Sequence, residues 1–205
     1  MLKTIMFSEF TKVNIIQKLL CEDVIHYLKK IFIQFFLAKD LSYINLTNKK
    51  FNFKIKNIWS RDMEFSGVKL MNADLSGSDL SYVNLTMADL RNANLNNTNL
   101  NESILNGANL NHSNLEKANF RCATLLDAKF IGSISIGANF EFTQLAGAFF
   151  REANLTNTSF NYANFIGEKQ FAADFTNANL TNTTFKGVRV GRSWFPLGIK
   201  SDLIK

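Results

Sequence analysis

Large apolar residues recur at every fifth position from Phe65 to Val190, and only Ser135 and Gln170 break the series. A small residue, most often Ala, stands two positions before most of them. A period of five matches neither the 3.6-residue turn of an α-helix nor the two-residue alternation of a strand. The pattern therefore predicts a coil that turns a corner every five residues. Large side chains would fill its axis, and the small residues would let the backbone approach that axis.

The residue between the small and the large position is often Asp or Asn. Typical units are Ala73-Asp74-Leu75, Ala93-Asn94-Leu95 and Ala178-Asn179-Leu180. They resemble the A-(D/N)-L-x-x signature of the pentapeptide-repeat family, and the resemblance covers about 125 residues without a break in phase. It implies an all-β fold, a right-handed quadrilateral parallel β-helix with four pentapeptides per coil, and no enzymatic activity. Some members of this family bind DNA gyrase as mimics of DNA.

The core of such a solenoid is a line of side chains along its axis. Stacked coils bury their interior only against neighbouring coils, and each buried Leu or Phe contributes about 1.5–3 kcal/mol. We predict a core of the residues at every fifth position, represented by Leu75, Leu90, Leu110, Phe130, Phe150 and Leu180. Ser135 is interpreted as a buried hydroxyl bonded to backbone rather than as a nucleophile. Gln170 is interpreted as the mark of a bulge or local loop.

The pattern divides the chain into four segments. They are a helical N-terminal cap over 1–40, irregular or shifted-register repeats over 41–64, the β-helix over 65–190, and a C-terminal cap over 191–205. The α-helical N-terminal segment is predicted from apolar residues at three- and four-residue steps with lysines between them. Binding of a partner or a membrane surface is the alternative role for this helix. Contact within a homodimer is the alternative role for Trp194 and Phe195.

The formal net charge of +6 comes from the flanks of the repeat. Residues 65–190 hold 9 basic and 10 acidic side chains, which leaves them at −1. If residues twenty apart stack, one face collects Lys69, Arg91, Lys129, Arg151, Lys169 and Arg189. We predict that an acidic partner would bind this face weakly and with strong salt dependence, and a solvated surface is the alternative. A second face, centred on positions 65, 85 and 105, carries corner glycines and little charge, and is interpreted as structural.

The sequence contains no residues with catalytic or metal-binding spacing, so no cofactor is predicted. Cys21 and Cys122 form no CxxC pair and are too few for a disulfide framework, which fits a reducing cytoplasm. No apolar run is long enough to span a bilayer, and no transmembrane segment is expected.

These features favour a non-enzymatic protein-binding or scaffolding module whose partner is another protein. The alternative is a DNA mimic that binds DNA gyrase or topoisomerase, as in quinolone resistance, although Asn, Ser and Thr dilute the acidic residues. Nucleic acid as a partner has only the few charges of the basic face to support it. An enzyme is the least favoured class, because the repeat has no insertion on which to build a pocket.

Overall fold

A computed structural model of the protein describes residues 65–167, 172–191 and 196–200, together with Leu203. The helix expected over 1–40 and the repeats expected over 41–64 lie outside these residues, as do Trp194 and Phe195. The described part contains no α-helix. Within it, no helix has the length and apolar character needed to cross a membrane.

Parallel pairing between residues twenty apart builds the structure. Four consecutive pairs are Lys69 with Asp89, Asp74 with Asn94, Asp79 with Asn99, and Asn84 with Ile104. Each pair involves one residue per side of the coil, so four of them per twenty residues define a coil with four faces. The described residues therefore form a quadrilateral parallel β-helix, as the resemblance to the pentapeptide-repeat family implies.

The five residues of each repeat have fixed places, which we name small, outer, inward, first corner and second corner. In one repeat these are Ala88, Asp89, Leu90, Arg91 and Asn92, in that order. The outer residue carries the parallel pair, and the inward residue points into the core. The second-corner residues from 67 to 162 and from 177 to 187 all have φ between +55° and +70°. Asn and Gly tolerate this left-handed conformation best, which explains their frequency there.

Backbone hydrogen bonds join each face to the coils on both sides. The inward Leu90 donates its N–H to the carbonyl of Asn109 at 2.8 Å, and the outer Asp89 donates to the carbonyl of Val68 at 2.9 Å. Ala93 closes the corner by donating to the carbonyl of Leu90 at 3.1 Å. The same bonds recur in every coil. The N–H and C=O groups of a buried coil are therefore satisfied only when a neighbouring coil lies on each side of it.

We number the four faces by their inward residues. Face 1 has Leu70, Leu90, Leu110, Phe130, Phe150 and Phe175, and face 2 has Leu75, Leu95, Leu115, Ser135, Leu155 and Leu180. Face 3 has Leu80, Leu100, Phe120, Phe140, Phe160 and Phe185, and face 4 has Phe65, Leu85, Leu105, Leu125, Leu145, Phe165 and Val190. Faces 1 and 3 are opposite, so their phenylalanines meet in the middle of the coil.

Two interleaved stacks of phenylalanine rings fill the core from Phe120 onward. Phe140 stacks in parallel on Phe120 and Phe160, with centroids 4.7 and 4.9 Å apart. Its ring also meets Phe130 and Phe150 edge to face, at 5.5 and 5.6 Å. Both arrangements are the ones that aromatic quadrupoles favour, so each ring gains energy beyond its burial.

The representative core residues are buried, with one exception. Leu75, Leu90, Leu110, Phe130 and Phe150 are at most 1% exposed. Leu180 is half-buried, because no described residue pairs above it on face 2.

Ser135 is fully buried at an inward position. Its hydroxyl lies 3.1 Å from that of Ser133, so the partner of the buried hydroxyl is a side chain rather than backbone.

The pairing distance changes from twenty to twenty-five residues after the pair of Gln144 with Asn164. The next pairs are Phe149 with Asp174, Asn154 with Asn179, Ser159 with Thr184, and Asn164 with Arg189. One additional pentapeptide therefore separates Phe165 from Ala173. Columns drawn from the sequence with a constant spacing of twenty residues are therefore wrong beyond Phe165. The five added residues leave the apolar phase unchanged, so the five-residue period alone does not reveal them.

Pairing also extends past Val190, where the sequence pattern ends. Leu197 donates its N–H to the carbonyl of Ala173 at 2.9 Å and accepts from the N–H of Phe175 at 2.7 Å. Gly198 follows with φ +80°, and a Cβ there would lie 2.6 Å from the carbonyl of Phe175. The backbone thus crosses directly over the last paired residue of face 1, and only glycine permits that approach.

We expect Phe140→Ala to lower the free energy of unfolding by about 3–5 kcal/mol, because it removes the ring that touches four others and leaves a cavity. Phe142→Ala is the matched control, since Phe142 lies two residues away and is 41% exposed. Its loss should be much smaller. Urea unfolding of both variants provides the measurement, and equal losses would contradict the inward assignment of Phe140.

Candidate functional site

The basic residues proposed from the sequence do not all share one face. Lys69 and Lys129 are outer residues of face 1, and Arg91 and Arg151 are first-corner residues of the same face. Arg189 pairs with Asn164 and is therefore an outer residue of face 4. Lys169 lies outside the described residues. The structure brings four of the six residues together.

Ion pairs occupy half of the basic groups on face 1. Arg91 holds Asp89 through two bonds, Nε to Oδ1 at 2.8 Å and Nη2 to Oδ2 at 2.7 Å. The side-chain hydrogen bond from Arg91 lowers the pKa of Asp89. Lys69 and Lys129 lie three coils apart, about 14 Å at the strand spacing of about 4.8 Å. That separation exceeds the Debye length of about 8–10 Å at physiological salt, so the two lysines do not act as one patch.

Asp174 is the buried member of the second ion pair on face 1. Its side chain is 3% exposed and pairs with Nε of Arg151 in the coil below. Thr176 adds bonds from its N–H at 2.9 Å and from its hydroxyl at 2.6 Å. Burial of Asp174 raises its pKa, but the hydrogen bonds from Thr176 and Arg151 outweigh burial, so the pKa is lowered. Arg151 therefore has a structural role in joining two coils.

The outer Asp and Asn residues cap the corners of the coil. Oδ1 of Asp74 accepts the N–H of Ser76 at 3.1 Å, and the same bond recurs at most outer Asp and Asn residues. After the outer residues Thr124 and Lys129, an Asn one coil below replaces this cap. Asn106 accepts from the N–H of Leu126 at 3.0 Å, and Asn111 accepts from the N–H of Ile131 at 2.9 Å. The polar residue of the repeat signature thus serves the fold.

The acidic residues are too sparse to imitate a phosphate backbone. Among the described residues, no column of outer or corner positions carries Asp or Glu on two successive coils. Double-stranded DNA carries one charge per about 1.7 Å of axis. The described faces therefore lack the charge density that mimicry of DNA requires.

Face 4 is nearly uncharged along five coils. Its outer residues are Asn84, Ile104, Thr124, Gln144 and Asn164, and its corner residues are Thr86, Met87, Asn106, Gly107, Leu126, Asp127, Ala146, Gly147, Ile166 and Gly167. Asp127 is the one charged residue in this set, and Arg189 follows on the sixth coil. The other three faces each carry charges of both signs, although those of face 2 end at Lys117.

Exposed large apolar side chains concentrate on face 4 and its two edges. Between residues 65 and 167 there are five of them, and Met87 (65% exposed), Phe142 (41%), Tyr162 (45%) and Ile166 (43%) border this face. The fifth, Ile134, lies on face 2. The sequence interpretation of face 4 as structural overlooked this concentration. In the sequence, this face is marked by the lack of charged residues at positions twenty apart.

An aromatic edge separates face 3 from face 4. The rings of Phe142 and Tyr162 stack with centroids 5.0 Å apart, and the guanidinium of Arg121 lies 4.7 Å from the centroid of Phe142. Because these rings cover one another, little ring face remains for stacking on a nucleic acid base. A partner would meet ring edges and the outermost ring surface.

Glycines make the corners beside face 4 low and flat. A Cβ on Gly107 would meet the side chain of Met87, and a Cβ on Gly147 would meet that of Asp127. Gly187 has the same relation to Tyr162 on the aromatic edge. The side chains of Met87, Asp127 and Tyr162 therefore each lie over a glycine of the next coil, and the surface is flat rather than concave. Among the described residues, no cluster of His, Cys, Asp and Glu could hold a metal ion.

Comparison with protein families agrees with this architecture. Residues 69–107, 99–134 and 136–167 match the family model of pentapeptide repeats, in eight copies. The chain is a pentapeptide-repeat protein, and its solenoid is the right-handed quadrilateral β-helix. No curated protein matches the sequence.

Several solved structures are similar to the chain at low identity. A pentapeptide-repeat protein from the thylakoid lumen of Arabidopsis thaliana is 24% identical over 58% of this chain and 69% of its own, with a TM-score of 0.31. HetL of the cyanobacterium Nostoc, involved in the regulation of heterocyst differentiation, is 21% identical over 77% and 86%, with a TM-score of 0.29. QnrB1, a plasmid-mediated fluoroquinolone resistance protein, is 15% identical over 73% and 92%, with a TM-score of 0.32.

We expect Asp174→Asn to reduce stability at pH 7 and to lose this effect in acid. The folded-state pKa lies below the unfolded value of about 3.9, so the stability contributed by the carboxylate is present above that value. It is lost as the pH falls through the folded-state pKa. Urea unfolding of both proteins at pH 7 and about pH 2 should show a difference that shrinks. Glu152→Gln, on the same face and exposed, is the control; a constant difference for Asp174→Asn would contradict the assignment.

Proposed function

We propose that this protein is a non-enzymatic protein-binding module and that face 4, with its aromatic edge, contacts the partner. One observation carries the proposal: four of the five large exposed apolar side chains between residues 65 and 167 border this face. Contiguous exposed apolar surface marks interaction sites on soluble proteins, and Phe142, Tyr162 and Ile166 lie on adjacent coils.

The composition of face 4 agrees with that of the centre of a protein interface. Interface centres are poor in Lys, Glu and Asp, and rich in Tyr, Phe and Met. Met87, Phe142 and Tyr162 supply these residue types, and Asp127 is the one acidic group. Covering such a surface removes apolar area from water at about 25 cal/mol per Å² and desolvates few charges. The expected partner surface is flat or embracing, apolar and nearly uncharged.

The other candidate functions receive less support. The basic residues of face 1 are half consumed by ion pairs, which disfavours nucleic acid or an acidic partner on that face. The likeness to QnrB1 concerns the fold, and the spacing of acidic residues disfavours mimicry of DNA. An enzyme has no support in convergent titratable groups among the described residues.

Leu126→Lys and Ile131→Lys form a matched pair for testing face 4. Both residues occupy first corners on successive faces, both are half-buried, and both N–H groups are capped by an Asn one coil below. Leu126 lies on face 4 and Ile131 on face 1. After isolation of a partner with the wild-type protein, we expect Leu126→Lys to weaken its affinity at least about tenfold, because the lysine must be desolvated. Ile131→Lys should leave the affinity unchanged.

Calorimetric titration of the isolated partner supplies the measurement, with urea unfolding to verify that both variants are equally stable. A partner that binds both variants equally tightly would remove face 4 from its interface. Loss of binding in Ile131→Lys alone would assign the interface to face 1.

A further inference from the structure

Among the residues that the structure describes, the sixth coil ends in an unpaired strand edge on three of its four faces. One coil below, inward N–H groups donate upward, from Leu155 to Asn179 at 2.9 Å, from Phe160 to Thr184 at 2.8 Å, and from Phe165 to Arg189 at 2.8 Å. In the sixth coil the corresponding N–H groups of Leu180, Phe185 and Val190 have no acceptor among the described residues. The carbonyls of Ala178, Thr183 and Val188 likewise accept no bond from a coil above.

The apolar interior at this edge is incompletely covered on faces 2 and 4, whereas Phe185 on face 3 is 2% exposed. Leu180 and Val190 are half-buried, whereas Leu155 and Phe165, one coil below in the same columns, are 0% and 2% exposed. The small residues of the sixth coil on these faces are half-buried too. Face 4 thus offers backbone donors, backbone acceptors and apolar side chains together, which is the combination that an added strand uses, and face 3 offers the backbone groups.

Face 1 shows how a single added residue covers such an edge. Leu197 donates to the carbonyl of the small residue Ala173 and accepts from the inward N–H of Phe175. It pairs in parallel with Asp174, and the backbone then passes over Phe175. An extended segment on faces 3 and 4 would make the same two bonds per face.

Faces 2, 3 and 4 of the sixth coil carry charge of one sign. Between residues 175 and 200 the sequence contains no Asp or Glu, and it contains Lys186, Arg189, Arg192 and Lys200. Lys186 and Arg189 are exposed beside the open edges of faces 3 and 4, and neither forms an ion pair with a described residue. Two copies of this edge would bring like charges together, so charge opposes a second copy and favours an acidic occupant.

We propose that the sixth-coil edge binds an extended acidic segment of a partner protein, which adds as a further strand on faces 3 and 4. Carbonyls of the segment accept from the N–H groups of Phe185 and Val190, and its N–H groups donate to the carbonyls of Thr183 and Val188. Its Asp or Glu side chains pair with Lys186 and Arg189. Because the second corners from 67 to 162 and from 177 to 187 all have a positive φ, the segment carries Gly or Asn where it passes from one face to the next.

A synthetic peptide that repeats Ala-Glu-Leu-Glu-Gly twice is the probe, with fluorescence anisotropy as the readout on the full chain. We expect saturable binding that weakens with salt, and no binding of the same peptide with Lys in place of Glu. A version in which the Glu after each Ala is N-methylated retains all of its charge but lacks the N–H that would donate to Thr183 and Val188, and it should bind at least about tenfold more weakly. Hydrogen exchange should slow at residues 180–190 when the first peptide is bound.

Charge reversal at the edge tests the protein side. Lys186→Glu with Arg189→Glu should reduce the affinity for the acidic peptide at least about tenfold, because two ion pairs become repulsions. Lys129→Glu, an exposed outer lysine on face 1, is the matched control and should have little effect. Leu126→Lys should also bind the peptide normally, so this site can fail or succeed independently of face 4.

Three results would overturn the proposal. Equal binding of the N-methylated peptide would show attraction by charge without an added strand. Unaltered binding by the double charge-reversal variant would place the peptide elsewhere. Reversible dimerisation of the wild-type protein in sedimentation, abolished by the same charge reversal, would make a second copy the occupant.

Discussion

Hydrogen bonding between coils is the interaction on which the rest of this structure depends. Each face of a coil contributes one paired outer residue, and its backbone donors and acceptors bond mainly to the coils above and below. A single coil would therefore leave almost all of these groups without partners. The requirement that outer residues pair fixes the number of residues in a coil. It also fixes which side chains share a column, and therefore which rings stack in the core. The phenylalanine stacks, the capping Asn residues and the flat faces all follow from that alignment.

Much of the fold could be predicted from the sequence because the period is local and repeated. The small and large residues of each repeat specify the direction of every side chain, and Ala88 with Leu90 illustrates the rule. The pairing change after Asn164 could not be predicted in this way. An added pentapeptide keeps Phe175 and Leu180 in phase with Phe165, so periodicity cannot distinguish a unit in the coil from a unit outside it. Only the pairing of coils does so.

The same limit explains what was missed at the candidate sites. Arg189 moves from face 1 to face 4 because its column depends on the pairing distance. Arg151 meets Asp174 across a separation of twenty-three residues, which a constant spacing of twenty does not bring together. Arg91 and Asp89 lie two residues apart, so their ion pair was accessible to sequence reasoning once both were placed on one face. Exposure of Met87 and Ile166 required the packing of neighbouring coils to be known.

The added pentapeptide has a consequence for how the chain selects its native alignment. Because every unit has the same length, alternative solenoids in which a different unit leaves the coil would preserve the apolar phase everywhere else. Such competitors are close in local geometry, and repeat proteins avoid them only through differences between units. The sequence differs from the other units at positions 168 and 170. The five-residue phase would put Glu168 at the position of a small residue and Gln170 at an inward position. Burying both would cost several kcal/mol, at about 1–3 kcal/mol for an amide and more for a carboxylate. The cost at these two positions therefore disfavours every alignment that would bury them, and it distinguishes one unit of an otherwise uniform chain.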